Sequence, residues 1–582
     1  MSMNKRTILI LALILTPILA LVLTVVLFMV NASVSESSTQ VAEPPAYTQE
    51  LVVPTHIAEP ELHILRFGVS GFDGRWNPVL ASDSNDLHIT SLIFEPLIIS
   101  DHDGSPIPNL ADWVVSNNNM KYTFVLKDGI TFSDGEPMTS RDVAFTYTLM
   151  CHPEYNGPRS YAVSKLQGYD EFKTGKARNV TGIEIINERT IAFHLFDGEA
   201  NAANIWNFAY GILPEHIYAF DTWNEFNAKT GNPVGSGKFV FDNYIPGESL
   251  CLKRNDNYWN SNEFTQLDGI SFAIIPEESL FQAFKLNHID LAQPAATMKN
   301  YTDFNELDSV EVRAVFRNSY QFLAFNTLRM QLNDPQVRRA LLYALDRQAY
   351  IDITLGKLGS IGMAPVSPAS WAFPRSGLNT YDYNLDKARE LMSDAGWEPE
   401  QDGILAQNGI RMELRWLVYP EAHWPKILAS LAQDSWRQIG VDLTITEMGF
   451  DEINAITFNA KPGDIDFDVF AMAFMFSIDP DPTGSMFDYD EFLNGGFSIS
   501  GYYNERAQEL IIAGRNETNQ ATRTKIYNEW ARIMNENLPT AIIAHRYNLW
   551  VISNRVEGLN IGPYHDWWRN ISEVTVSEVT VN

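Results

Sequence analysis

Residues 121–147, KYTFVLKDGITFSDGEPMTSRDVAFTY, change hydrophobic period within a short span of chain. Tyr122, Phe124 and Leu126 alternate with Lys121, Thr123 and Lys127, which predicts a strand with one buried face. Asp128-Gly129 offers a hairpin turn, since glycine takes positive φ without steric cost. Ile130 and Phe132 resume the alternation and Ser133-Asp134-Gly135 break it again. Thr139 then stands three residues before Asp142, a capping-box spacing, and Val143, Thr146, Tyr147 and Met150 follow at helical intervals. No group in the stretch is poised for chemistry, so it reads as scaffold.

The same reading extends along the chain. Residues 182–196, GIEIINERTIAFHLF, form a hairpin with Ile183 and Ile185 facing Ile191, Phe193 and Leu195. Residues 333–351 form one amphipathic helix: Asp334 caps it, Pro335 suits its first turn, and Val337, Leu341, Ala344 and Leu345 make the stripe. Another helix runs from Asn384 to a terminating Gly396. ELRWLV (413–418), a helix from near Pro425 to Gly440, and VDLTIT (441–446) make a strand–helix–strand unit, the mark of a parallel sheet. VFAMAFM (469–475) is continuously apolar, as a central strand covered on both faces would be. There is no internal repeat. The class is mixed α/β, and 582 residues exceed a single core, so two or three lobes are expected.

The amino terminus sets the compartment. Lys5 and Arg6 precede an uncharged apolar run over residues 7–30, long enough to span a bilayer with its basic flank cytoplasmic. Val30-Asn31-Ala32 also has the small-residue character of a cleavage site. An uncleaved anchor is the favoured reading, followed by a Ser-, Glu-, Pro- and Thr-rich tether over 31–60. Everything beyond residue 31 is then extracytoplasmic.

Charge and cysteine content narrow the partners. The formal net charge is −30, and no basic stripe offsets it, which excludes a nucleic-acid surface. Cys151 and Cys251 either pair, closing a long loop worth about 4–5 kcal/mol in the chain-entropy model, or remain two separate thiols, the favoured alternative.

Candidate chemistry is sparse. NPVGSGKF (232–239) has glycines and a lysine but lacks phosphate-loop spacing, so a glycine turn is the better reading. DPDPTGSMFDYD (479–490) places Asp479, Asp481, Thr483 and Gly484 at calcium-loop offsets, against which stand two prolines and an aspartate at the last position. The 11 histidines include no HExxH and no tight cluster; His102, His152, His194, His216 and His545 are isolated. No GxSxG elbow, nucleophile–base motif or singled-out carboxylate pair is present. The expectation is a protein without catalysis, cofactor or metal.

A family comes into view through motif order. PNLADWVVSNNNMKYTFVLKDGITFSDGEPMTSRDVAFTY resembles the signature of extracellular solute-binding proteins, family 5. The resemblance continues through NPVGSGKFVF, RNDNYW, QLDGISFAII, FKLNHIDLA, QFLAFN, DPQVRRALLYALDR, DIDFDVFAMAFMFSIDPDP, SGYYN and ENLPTAIIAHRYNLWVISNRVEGL, covering residues 64 to about 560. It implies a two-lobed α/β clamshell of the periplasmic-binding-protein type (type II, large cluster C) with an extra subdomain in lobe I at about 105–230. Lobe I would comprise 61–318 plus the return and tail over 546–582, and lobe II 319–545, with crossovers near Tyr320 and His545.

The implied function is capture of a peptide or oligosaccharide in the interlobe cleft by hinge closure. A monomer would deliver it to an ABC permease and its cytoplasmic ATPases. Ligand sites are mostly apolar with a few placed polar groups. The segments that border the cleft in the family supply the candidates: Phe72, Arg75 and Trp76; Tyr320, Phe322 and Asn326; Trp371; Trp416; Phe474 and Phe476; and Tyr502. For each, ligand contact and core filling are equally served. One departure stands out. The family's peptide receptors place an aspartate for the ligand's α-amino group three residues before the DP pair, and that position here is Phe476. This weakens the standard peptide mode and leaves room for sugars, which stack on aromatic faces. The rival of a different class is a membrane-tethered ligand sensor or peptide chaperone using the same clamshell without transport; a secreted hydrolase, which would turn its ligand over, is the third.

Overall fold

The structure is a computed structural model that describes residues 62–196 and 201–577. The expected anchor (7–30) and tether (31–60) lie outside the described residues. Among those described, no helix is long and apolar enough to cross a membrane.

An 11-stranded mixed sheet runs through both halves of the molecule. Its order is Asp442–Glu447, Glu413–Val418, Val469–Met475, Val310–Phe325, Thr540–Ser553, Leu291–Ala292, Ile64–Val69, Gly269–Ile274, Ser249–Arg254 and Phe239–Ile245, with Gly359–Ile361 added alongside Thr540–Ser553. Glu413–Val418 and Asp442–Glu447 pair in parallel around the helix Trp424–Arg437, the strand–helix–strand unit expected from the pattern. Val469–Met475 lies between a parallel and an antiparallel neighbour, so its continuous apolarity reflects a central position.

Two strands knit the halves together. Val310–Phe325 and Thr540–Ser553 pair antiparallel from Val310–Ser553 to Phe316–Tyr547, and again from Tyr320–His545 to Ala324–Thr540. Between Phe316 and Tyr320 the register slips: Arg317, Asn318 and Ser319 face Arg546 alone, a bulge that bends and twists the ribbon. On one side of the bulge Val315 joins a core with Leu65, Phe67, Trp550 and Trp567. On the other side side chains alternate between two cores, Leu323 and Phe325 in one and Tyr320, Phe322 and Ala324 in the other, because strand residues point to opposite faces in turn. The second half therefore has its sheet covered on both faces, and the molecule is a two-lobed α/β fold.

The first lobe carries its extra subdomain as a four-stranded antiparallel sheet, ordered Ala111–Val115, Lys121–Leu126, Thr190–His194, Ile183–Asn187. The helix Ser140–Cys151 packs on it, and Thr139 and Asp142 form the capping box their spacing foretells. Tyr122, Phe124, Tyr147, Phe193 and Phe208 fill the interior, with Phe193 and Phe208 ring centroids 4.7 Å apart.

Two expectations on local structure are corrected. Ile130 and Phe132 do not continue a hairpin with the strand over 121–126. Both edges of that strand are taken, by Ala111–Val115 and by Thr190–His194, and only Thr131 makes an isolated bridge, to Pro137. The single helix over 333–351 is two, Pro335–Tyr343 and Arg347–Thr354. The break serves Asp346, which caps the second helix by accepting from Ala349 N, and it buries the Arg347 guanidinium on the carbonyls of Gly362, Ile542, Thr380 and Tyr381. The cysteines are separate free thiols.

Candidate functional site

Glu95 lies two residues beyond the helix Ser84–Ile93, and it organises the floor of the first lobe. It is buried and accepts from Tyr258 Oη at 2.7 Å and Trp259 Nε1 at 2.8 Å. Burial raises its pKa, opposed by Lys238 nearby. Lys238 reaches Glu263 at 2.7 Å and lies over the Tyr258 ring. The glycines of NPVGSGKF make this approach possible. A Cβ on Gly235 would lie 2.2 Å from the Ile93 carbonyl, and one on Gly237 2.3 Å from that of Leu92. The segment is a turn pressed against a helix end.

Above this floor lies a cavity of about 870 Å³, bounded by the main sheet's helix, the extra subdomain and the returning segment 560–573. Of the second lobe, Ile478 reaches its wall. The lining is charged and balanced, with carboxylates from Glu95, Glu263, Asp566 and Glu573 and cations from Lys127, Arg159, Lys238 and Arg569. Among the described residues, Arg159 Nε, Trp206 Nε1, His565 Nε2 and Arg569 Nε, all buried in the wall, have no hydrogen-bond partner. His565 stacks on His102 with ring centroids 4.0 Å apart. Burial, together with His102 and Arg569, lowers its pKa to about 4, so it is neutral at pH 7. Burial likewise lowers Arg569 to about 10.

A second pocket of about 80 Å³ adjoins the first through Ser477–Ile478 and Tyr564–His565, and lies between the lobes. Its walls include Tyr320, Phe476, Ser367, Ser370, Trp530 and Tyr564, and Trp530 Nε1 has no hydrogen-bond partner among the described residues. The lobes also touch beside it, where Trp371 N donates to the Asp103 carbonyl at 2.8 Å and Asn119 Nδ2 to the Asn516 carbonyl at 3.0 Å. Asp479 of the DPDP run is buried here in a two-pronged ion pair with Arg523, at 2.7 and 2.9 Å. Asp481 accepts from the Thr483 hydroxyl and amide. These aspartates are thus engaged by protein groups, in place of the calcium-loop arrangement their offsets allow.

The candidates drawn from sequence separate into three groups. Tyr320 and Phe476 meet at the small pocket, ring centroids 4.5 Å apart. Trp371 stands at the lobe contact, under the Arg523 guanidinium, while Phe474 and Tyr502 are half-buried on the second lobe. Phe322, Asn326 and Trp416 are interior: Phe322 and Trp416 are fully buried, Trp416 against Trp436, and Asn326 donates to the Phe467 carbonyl. Trp76 packs on Phe241 and Tyr244 in the first core, Phe72 packs edge-on to Tyr244 and Phe272, and Arg75 is exposed. None of the eleven lines the larger cavity. Sequence reasoning missed Arg159, Trp206, Tyr210, His565 and Asp566. The last two belong to HDWWRN, a dense charged and aromatic run near the carboxyl end that was the available signal.

The two lobes of mixed α/β structure, with a polar cavity beside their junction, are the frame against which the relatives are compared. The profile of the bacterial extracellular solute-binding proteins, family 5 (middle), matches residues 105–493, and the chain belongs to that family. It is 25% identical over 558 residues to the oligopeptide-binding protein AppA of Bacillus subtilis, covering 92% of this chain and 94% of that protein. It is 24% identical over 492 residues to heme-binding protein A of Haemophilus influenzae, covering 78% and 82%. Among solved structures, the murein tripeptide-binding protein MppA in its unliganded open form superposes with a TM-score of 0.76 at 19% identity, covering 90% of this chain and 99% of that one. AppA of B. subtilis with a bound nonapeptide gives 0.58 at 22% identity, covering 89% and 100%.

Proposed function

We propose that this protein is the substrate-binding component of an ABC importer and that its ligand is a short peptide. The observation that carries the reading is the larger cavity: its volume suits a small ligand, and its lining carries charges of both signs. A zwitterion with backbone amides and carbonyls satisfies such a wall better than a neutral oligosaccharide, which would leave the charges unmatched. Relatives named for oligopeptide and dipeptide binding support the same class.

Capture works by population shift. Peptide settles on the first lobe, Ile478 and the small pocket bring in the second, and the bulge at Arg317–Ser319 serves as the hinge. Closure is favoured only by contacts that the closed form adds. The leader over 7–30 holds the receptor outside the cytoplasm near its permease, as a monomer, with residues 31–60 setting its reach.

The test is native mass spectrometry of the full chain, gently purified in detergent, followed by calorimetry with a pentapeptide pool and with oligosaccharides. A copurifying peptide mass and heat from the peptide pool alone are the expected result. An oligosaccharide adduct, or consumption of the peptides, overturns it.

A further inference from the structure

Two turn tips of the first lobe reach across to the second. One is Asp101–Ser105, which joins the short paired strands Ile98–Ser100 and Pro106–Pro108. Ser105 N donates to the Asp103 carboxylate at 2.9 Å, and a Cβ on Gly104 would lie 3.2 Å from the Tyr564 ring, so the tip is held firmly. From it the Asp103 carbonyl accepts from Trp371 N at 2.8 Å, and Ser105 Oγ accepts from Gln520 Nε2. The other tip joins Ala111–Val115 to Lys121–Leu126 in the extra subdomain. Asn119 takes a φ of +55° there, and its amide donates to the Ser116 carbonyl. Loop tips are ordinarily exposed, as Asn117 and Asn118 are, yet Asn119 is 2% exposed. Its Nδ2 donates at 3.0 Å to the carbonyl of Asn516, the last residue of the helix Glu505–Asn516. Helix ends leave carbonyls without intrahelical donors, so a side chain of one lobe caps a helix of the other. The receiving side is tied together by Arg523, which lies over the Trp371 ring, donates to the Gly514 carbonyl and sits one turn into the helix that Gln520 opens.

We propose that these two tips are a latch that biases the lobes toward each other before any ligand arrives. Donors and acceptors belong to opposite lobes, so one rotation about the bulge at Arg317–Ser319 parts them all together. A neutral hydrogen bond shifts such an equilibrium by about 2- to 10-fold, and bonds broken by one motion multiply their effects. Asp103, Ser105, Asn119, Trp371, Asn516 and Gln520 line neither cavity described above, so the latch is separate from the ligand's own contacts. It acts whatever the ligand is. A ligand then supplies only the remaining bias, and its apparent affinity rises with the fraction of protein already joined.

The experiment is amide hydrogen exchange at single-residue resolution on the full chain in detergent, with no ligand added. The Trp371 amide is bonded across the lobes, whereas the nearby Phe373 amide is bonded within its own lobe, to the Ser370 carbonyl at 3.1 Å, and serves as the internal control. Asn119→Gly keeps the positive-φ turn and removes the capping amide. Gln520→Ala trims an exposed side chain at a helix start. Each should speed exchange at Trp371 by about 2- to 10-fold, and the double variant by the product, about 4- to 100-fold. Asn119→Asp turns a carboxylate toward the negative end of the helix and should speed it more than Asn119→Gly does. Phe373 should exchange at the wild-type rate in every variant. Unchanged exchange at Trp371 in both single variants overturns the inference, because Asn119 would then be a local cap only. Equal acceleration at Phe373 also overturns it, since the second lobe would be unfolding locally rather than parting from the first. Because no peptide is used, either result leaves the peptide reading to its own test.

Discussion

At Arg523 the chain has placed a guanidinium where burial opposes its charge and Asp479 restores it, holding the group protonated above its ordinary range. Both side chains of the pair are almost wholly buried, so removing one partner leaves a charge that neither water nor protein neutralises. Arg523→Met is expected to destabilise the second lobe by about 3–5 kcal/mol, read as a fall in the denaturation midpoint. Adding Asp479→Leu should recover much of that loss; a double variant no better than the single one would contradict the pairing argument. The two cysteines make a second test. Cys151 is buried with its thiol pushed up to about 12 by burial, whereas Cys251 is only half-buried on a strand of the main sheet. A thiol reagent at pH 8 should label Cys251 in the native protein and Cys151 only after unfolding, and a reductant should leave the melting temperature unchanged.

Elements were legible where one local rule decided them. Thr139 and Asp142 announced a helix start that the structure reproduces atom for atom, because a capping box is closed by residues within one turn. Thr139→Ala is expected to cost about 1 kcal/mol, measured by denaturant unfolding. Elements were misread where a distant partner decided them. Nothing in the stretch 130–132 reveals that both edges of the preceding strand are already occupied, and the break at Asp346 answers carbonyls of Gly362 and Ile542, far along the chain. The same holds for the ladder between the lobes, whose bulge was not foreseen. There His545 lies buried between Phe316 and Phe476, and burial lowers its pKa to about 4 from 6.5. The unfolded chain therefore takes up a proton that the folded chain refuses, so stability falls as pH drops from about 6.5 to about 4, by on the order of 3 kcal/mol for this residue. In His545→Phe that part of the acid sensitivity should be absent; an unchanged slope of stability against pH would refute the assignment.

For the whole molecule, family and fold class could be read from motif order, since each motif is a local pattern and their sequence along the chain is fixed. The site could not. Its wall joins the helix after the first strand, the extra subdomain and a segment more than 400 residues away, and tertiary packing alone brings them together. Aromatics chosen by sequence, such as Trp416, were as suited to a core as to a cleft, and the core took them. Peptide at 100 times its dissociation constant should stabilise the protein by about 2.7 kcal/mol, seen as a raised melting temperature. A decrease in radius of gyration by small-angle scattering should accompany it; stabilisation with no compaction would place the ligand on one lobe alone.

The strand Val310–Phe325 contributes to the cores of both halves at once. Its inward and outward faces alternate with a period of two, so deleting one residue ahead of the bulge inverts everything up to the next point where register can be regained. In most strands such a slip injures one domain. Here a missing residue is a frameshift in the tertiary sense, felt in two interiors, and length variation among relatives should accordingly collect in the loops around this strand and spare the strand itself.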